Sequence, residues 1–459
     1  MNPLVTGRSR HTHTSRGIRT ALAVFAAAGI ACASVAVGAA AAAPRTTRSS
    51  ASPIVVWVDS TRVPMIKAYE KANPTVKIDL VIYNGNANGS GYLQSKIALD
   101  NRVGAGWPDI VFSEENNDAS SLANAQFHYP AALSKGLVSK SVLNGFAKGT
   151  IAGCTIDGTV YCLRNDLAQN VLWYNSALMK KFGYKVPTTW QQYQALGQTV
   201  AKQHPGYIIG SANDTWTEEI YLWGSACPMN YVTGPLTVDI NLASSKCTRM
   251  ASLLDSLVKA KSVNDTESVF SSSFDTTYAV TKASPLGHVL MMPGPSWYGA
   301  DLLVASNIIP KGDIGAADPL AWAGSPAVTG EVGGGLWFMS SHSKNKAAVA
   351  SMLVWLSTSA GSQGISVGYP AFVADQTSWI AGQQASGDYA TQLGPVFATA
   401  ATEVWPDWGP VPYSTEAVWA DTVTPALVGG GTITSQLANY GTQLTDFAQS
   451  DGYTVVTKP

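Results

Sequence analysis

Cys154 and Cys162 flank an Asp157-Gly158 turn, so a hairpin with a three-residue loop centred on Gly158 would set the two cysteines opposite each other, a disulfide geometry. With Cys32 set aside, Cys227 and Cys247 complete an even set, and pairing in sequence order (Cys154 with Cys162, Cys227 with Cys247) is the simplest of the three connectivities. The pairs Glu114-Glu115 and Glu218-Glu219 offer the two acids that glycoside hydrolysis needs, yet no surrounding motif supports catalysis. Gly294-Pro-Ser-Trp-Tyr-Gly299 has one residue too many for a serine-hydrolase elbow. His128, His204, His288 and His342 are scattered without metal-ligand spacing, so neither a metal nor a cofactor is expected. The chain has 14 Trp against 11 Phe, although Trp is usually the rarer of the two. A flat indole covers the C-H face of a pyranose, and this excess points to carbohydrate. Trp216 lies in a polar loop at 213–219 with Glu218, and Trp405 and Trp408 lie in a proline-rich loop at 404–412; all are candidates to face a ligand. Trp173, Trp190, Trp355 and Trp419 stand in apolar surroundings that suit packing, while Trp57, Trp223 and Trp337 fit either role.

The N-terminal segment carries Arg8, Arg10, Arg16 and Arg19 with no acid, then an alanine-rich apolar run from Ala21 to Ala43. Residues 1–43 read as a secretory leader, with an A-x-A cleavage site near Ala40 to Ala42, a poor lipobox at Cys32, or an uncleaved anchor as the three alternatives. Each puts the folded part outside the cytoplasm, where oxidised cysteine pairs are expected. Residues 44–52 are a polar linker. Removing the four leader arginines from 29 basic residues leaves 25 against 30 acidic ones. That mildly acidic balance argues against nucleic acid and anionic membranes as partners.

Positioning these side chains falls to alternating elements. The continuous apolar run at 53–58 reads as a strand buried on both faces, and 76–83 and 108–113 read as the next two strands, with helical spacing at 63–72 and a helix at 92–101 between them, the pattern of a parallel α/β sheet. Helices are expected at 190–202, 248–261, 270–280 and 344–356, and strands near 207–210 and 287–292. About 415 residues beyond the leader exceed one compact core, so two domains are expected.

The motifs IVVWVD at 54–59, GWPDIVF at 106–112, MPGPSWY at 292–298, GGGLWF at 333–338 and SKNK at 343–346, with the whole stretch 154–190, follow one another in the order of a known family. The chain resembles the bacterial extracytoplasmic solute-binding proteins of ABC importers, family 1, the maltose-binding-protein-like carbohydrate binders. The resemblance implies an α/β, two-lobed periplasmic-binding-protein-like fold, with hinge crossings and a ligand cleft between lobes. It places one lobe at 53–166 plus 330–370 and the other at 167–329 plus 371–459. It implies capture of a sugar or oligosaccharide by cleft closure, without catalysis, by a monomer that delivers to membrane permease subunits; lacking a Walker motif, the chain would leave ATP hydrolysis to a separate subunit. Asp59, Thr61 and Arg62 after the first strand, Ser113 and Glu114 after the third, Asp166 after the crossing strand and Trp297 are then the implied ligand contacts. Glu114 and Glu115 cannot both face inward if the strand runs through them. Gly333 to Gly335 suits close backbone approach near a hinge crossing. A secreted glycoside hydrolase, or a binder of a non-sugar such as a polyamine, are the alternatives.

Overall fold

The apolar run at the start of the folded region forms strand β1 (Ile54–Val58), and in the computed structural model it pairs in parallel with both β2 (Ile78–Ile82) and β3 (Ile110–Ser113). The structure describes residues 52–234, 236–405 and 411–457. The leader, most of the linker with its boundaries, Cys32 and Trp408 lie outside the described residues. Ala51–Pro459 forms one compact unit. Two further strands, β4 (Cys162–Arg164) and β8 (Leu336–Met339), complete a five-stranded sheet in the order β2-β1-β3-β8-β4, with β8 antiparallel to both its neighbours. Side chains alternate across it: Val56, Ile110, Phe112 and Trp337 join one core, while Trp57, Val111, Leu336 and Phe338 join the other. This is why β1 reads as an unbroken apolar run, whereas β2, at the edge, is largely exposed and carries Asp79. Helices Val63–Ala72 and Lys346–Thr358 pack with the sheet and with each other.

A second sheet is antiparallel. Its central strand β5 (Asn170–Asn175) lies between β6 (Met291–Pro295) and β7 (Ile314–Ala317). Helices Trp190–Gln203, Ser245–Ala260 and Ile433–Ser450 pack in series beside it. Three chain segments cross between the two sheets. Residues 165–170 run antiparallel to 330–335, with Asp166 N donating to Gly334 O at 2.9 Å and Val332 N to Ala168 O at 3.0 Å, and Ala371 N donates to Asn165 O on the other side. Arg164 bolts the crossing. Its buried guanidinium donates to Gly333 O at 2.7 Å, meets Glu331 at 3.1 Å and reaches Asn116 at 2.8 Å.

Gly333, Gly334 and Gly335 all have positive φ, and a side chain on Gly334 would run into Arg164, one on Gly335 into the Phe112 ring. Close approach and the left-handed conformation both require glycine there. The cysteines pair in sequence order, Cys154 with Cys162 and Cys227 with Cys247. The first hairpin differs from expectation in its turn. Asp157 and Gly158 both have positive φ and form a two-residue connection, because a mirror-image turn matches the strand twist better than a longer loop. The expected strand near 207–210 is reduced to an isolated bridge from Ile208 to Val289, although Ile208 and Ile209 are buried.

Candidate ligand-binding site

Strand direction collects the polar candidates at one edge. β1 and β3 are parallel, so Asp59 and Glu114 leave the sheet on the same side; β4 runs with β3 and delivers Asp166 there, and β8 enters from that side behind the three glycines. In the second sheet Pro295, the last residue of β6, pairs with Asn170, the first of β5, so Trp297 emerges at the end facing the crossing. Between them lies a cavity of about 610 Å³.

Thr61, Arg62, Glu114 and Asp166 form its polar wall. Asp59 is buried and serves as a cap: its Oδ1 accepts from the N–H groups of Thr61 at 2.7 Å and Arg62 at 3.0 Å, and its Oδ2 lies 3.6 Å from the Arg62 guanidinium. Asp59 does not line the cavity and acts by aiming Arg62, which also lies 4.3 Å above the Phe112 ring. Burial works against the charge of Arg62, but the carboxylates of Asp59, Asp166, Glu114 and Asp301 more than offset it and hold its pKa above the ordinary value. Glu114 is pushed up to about 7 by burial, with Arg62 pulling the other way and Asp59, Asp301 and Asp166 adding to the rise. Burial also raises Asp166, against the favourable pull of Arg62 and a 2.8 Å hydrogen bond from Asn165. Burial likewise raises Asp301, again against Arg62.

The opposite wall is aromatic. Trp297 donates its indole N–H to Val332 O of the crossing at 2.9 Å, which fixes the ring. Phe270 lies nearly parallel to it, with centroids 6.0 Å apart, and Trp216 stands perpendicular at 5.7 Å. Residues 84–91 close one side. Gly85, Asn86, Asn88, Gly89 and Gly91 all have positive φ, and Asn88 accepts a 2.9 Å hydrogen bond from Thr215 on the aromatic side.

Other candidates lie elsewhere. Ser113 is fully buried and turns away from the cavity, donating to Asp118 at 2.5 Å and accepting from Glu115 N. Asp118 also accepts from Asn86 and Gln94, so this knot shapes the 84–91 loop and binds no ligand-facing surface. Trp405 packs in the core near Tyr231, with its backbone N–H on Thr329 O, because the bridge of Val404 to Thr329 draws it inward. Glu218 is fully buried in the helical turn Glu218–Leu222, all of whose residues are buried, and does not line the cavity. Glu114 and Glu115 both reach the cavity: β3 ends at Ser113, so strand alternation no longer applies to them. Sequence reasoning missed Asp301, Phe270 and the backbone of the three glycines as lining. Asp301 follows Trp297 by one helical turn and was findable by spacing; Phe270, in a serine-rich segment, carried no such signal.

Two sheet-centred lobes, three crossings and a cavity at the crossing define a protein built to hold a ligand between its lobes. The chain belongs to the bacterial extracellular solute-binding protein family, whose sequence model matches residues 57–363. Solved structures with the same fold include the galacto-N-biose/lacto-N-biose I-binding protein of an ABC transporter from Bifidobacterium longum, with a TM-score of 0.71 at 18% identity over 88% of this chain and 99% of that one. The ABC-transporter-associated binding protein from B. animalis subsp. lactis, in complex with beta-1,6-galactobiose, gives 0.73 at 19% identity over the same shares. The GacH receptor of Streptomyces glaucescens, solved unliganded and with acarbose, gives 0.66 at 17% identity, again over 88% and 99%. A comparison with curated protein sequences finds no match. No helix of the described residues is long and apolar enough to cross a membrane.

Proposed function

We propose that this protein is the extracytoplasmic substrate-binding subunit of an ABC importer, that it takes a sugar or oligosaccharide without cleaving it, and that it hands the ligand as a monomer to membrane permease subunits. The lobes are drawn at 53–166 with 330–370 and 167–329 with 371–459. One observation carries the reading: a guanidinium and carboxylates on one wall face three aromatic rings on the other across a single cavity of about 610 Å³. Sugars need both, since carboxylates and guanidinium groups make charge-assisted hydrogen bonds to hydroxyls while rings cover C-H faces. The named ligands of the structural relatives, lacto-N-biose, beta-1,6-galactobiose and acarbose, agree with that class.

Glu114, with its pKa near 7 beside other acids, also has the character of a general acid, so the test must separate binding from cleavage. Tryptophan fluorescence and thermal shift of Ala51–Pro459 against mono- and oligosaccharides, amino acids and polyamines, with product analysis of each hit, does so. A saturable response with the sugar recovered intact is the expected result. Cleaved sugar would replace the reading with a glycoside hydrolase, and response to amines alone with a polyamine binder.

A further inference from the structure

We propose that closing this cleft takes up protons, because it presses a carboxyl group of one wall onto carboxyl groups of the other. Glu115 follows β3 of the five-stranded sheet. Glu416 lies at the start of helix Thr415–Thr422, which packs on Ile433–Ser450 and through it on Ser245–Ala260; the turn holding Glu218 and Glu219 also packs on Ser245–Ala260. Glu416 lines one small pocket together with Glu115 and Glu219. Carboxylates buried side by side lose hydration and repel one another, so the closed pocket favours protons on them. Glu115, Glu219 and Glu416 are each no more than 5% exposed, and Glu218 beside them is 0% exposed.

The surroundings supply little to neutralise charge. Glu114 and Asp118 face Glu115, Glu331 faces Glu219, and the phenols of Tyr413 and Tyr440 lie on the Glu416 side. The neighbouring guanidinium groups are engaged, Arg164 with Glu331 and Arg62 with Asp59. Gly89 N–H donates to Glu115 at 3.1 Å, and Glu219 O accepts from Asn170. Among the described residues, no group of three acidic, histidine or cysteine side chains is arranged to hold a metal ion. Burial and mutual repulsion therefore keep Glu115, Glu219 and Glu416 well above the ordinary carboxyl range, and burial takes Glu218 to about 8.

When the walls part, Glu115 separates from Glu416, water reaches both, and their affinity for protons falls back. The raised group belongs to the closed form, so its contribution to closure is complete below the ordinary carboxyl range and is lost as pH rises toward 8 and beyond. Above the open-state value, the closure constant falls by up to about tenfold per pH unit for each proton shared. Ligand affinity would follow the same slope, and only that clause rests on the sugar-binding reading.

Small-angle X-ray scattering of ligand-free Ala51–Pro459 between about pH 5 and about pH 8.5 tests the device directly. The radius of gyration is expected to rise across that interval in the wild type. It should stay near its low-pH value in Glu416→Gln, whose amide keeps the side chain's shape without titrating; Glu115→Gln is the second variant should the first fail to fold. A wild-type radius that does not change with pH, or variants that expand as the wild type does, overturns the proposal. If the radius responds to pH and no sugar binds in the fluorescence screen, the sugar reading fails while the proton-linked closure stands.

Discussion

Trp297 joins two requirements in one side chain. Its ring forms the centre of the aromatic wall against Trp216 and Phe270, and its indole N–H is tied to Val332 O of the crossing. Trp297→Phe keeps a ring in place and loses the tether, whereas Trp297→Ala removes both. We expect Trp297→Ala to weaken sugar binding by more than about tenfold, roughly 1.4 kcal/mol or more, and Trp297→Phe by much less. Isothermal titration of both variants, at a temperature where circular dichroism shows each folded, checks this. Equal weakening in the two would move the contribution from the ring to the tether. Asp59 shows how a site residue can act at one remove. Its oxygens are occupied by two backbone N–H groups and by Arg62, so it contributes through the guanidinium it orients.

Elements were legible where one physical signal sufficed. Helix Val63–Ala72 matches its expected bounds, and β1 and β3 fall within the apolar runs that announced them, because strands buried on both faces must be apolar throughout. Ser113 and Trp405 were not legible as buried groups, since nothing in a local pattern shows that a serine turns toward Asp118 or that a tryptophan beside a proline packs into the core. The crossing was legible through the resemblance, which placed it around 166 and 330, and through the three glycines; Arg164, which bolts it, carried no sequence signal. Gly335→Ala must adopt φ near +57° and push against the Phe112 ring. It should lose at least about 1–2 kcal/mol, read as a lower denaturant midpoint with an unchanged slope. The two disulfides should differ as their loops do. Cys227–Cys247 closes a span of 20 residues and Cys154–Cys162 one of 8, so loop entropy gives about 3.3 and about 2.5 kcal/mol respectively. Guanidinium unfolding of the two double Cys→Ser variants is expected to follow that order, and the reverse order would mean that strain or unfolded-state structure outweighs loop length.

At the scale of the whole molecule, the loop at 84–91 reaches across the cleft. Five of its residues hold left-handed backbone angles, and Asn86 is anchored by Asp118, so the loop is shaped before any ligand arrives. Its tip meets the aromatic side through the Thr215 hydroxyl, which donates to Asn88 at 2.9 Å. That bond exists only while the walls are together, so it stabilises the closed form without helping a ligand to enter the open one. Thr215→Val removes the hydroxyl and keeps the shape. A hydrogen bond of this kind contributes about 1 kcal/mol, so ligand dissociation should quicken by about fivefold while association stays within about twofold of wild type. Stopped-flow tryptophan fluorescence resolves the two rates. A change confined to association would place the Thr215–Asn88 contact in the encounter with ligand and leave closure to the crossings alone.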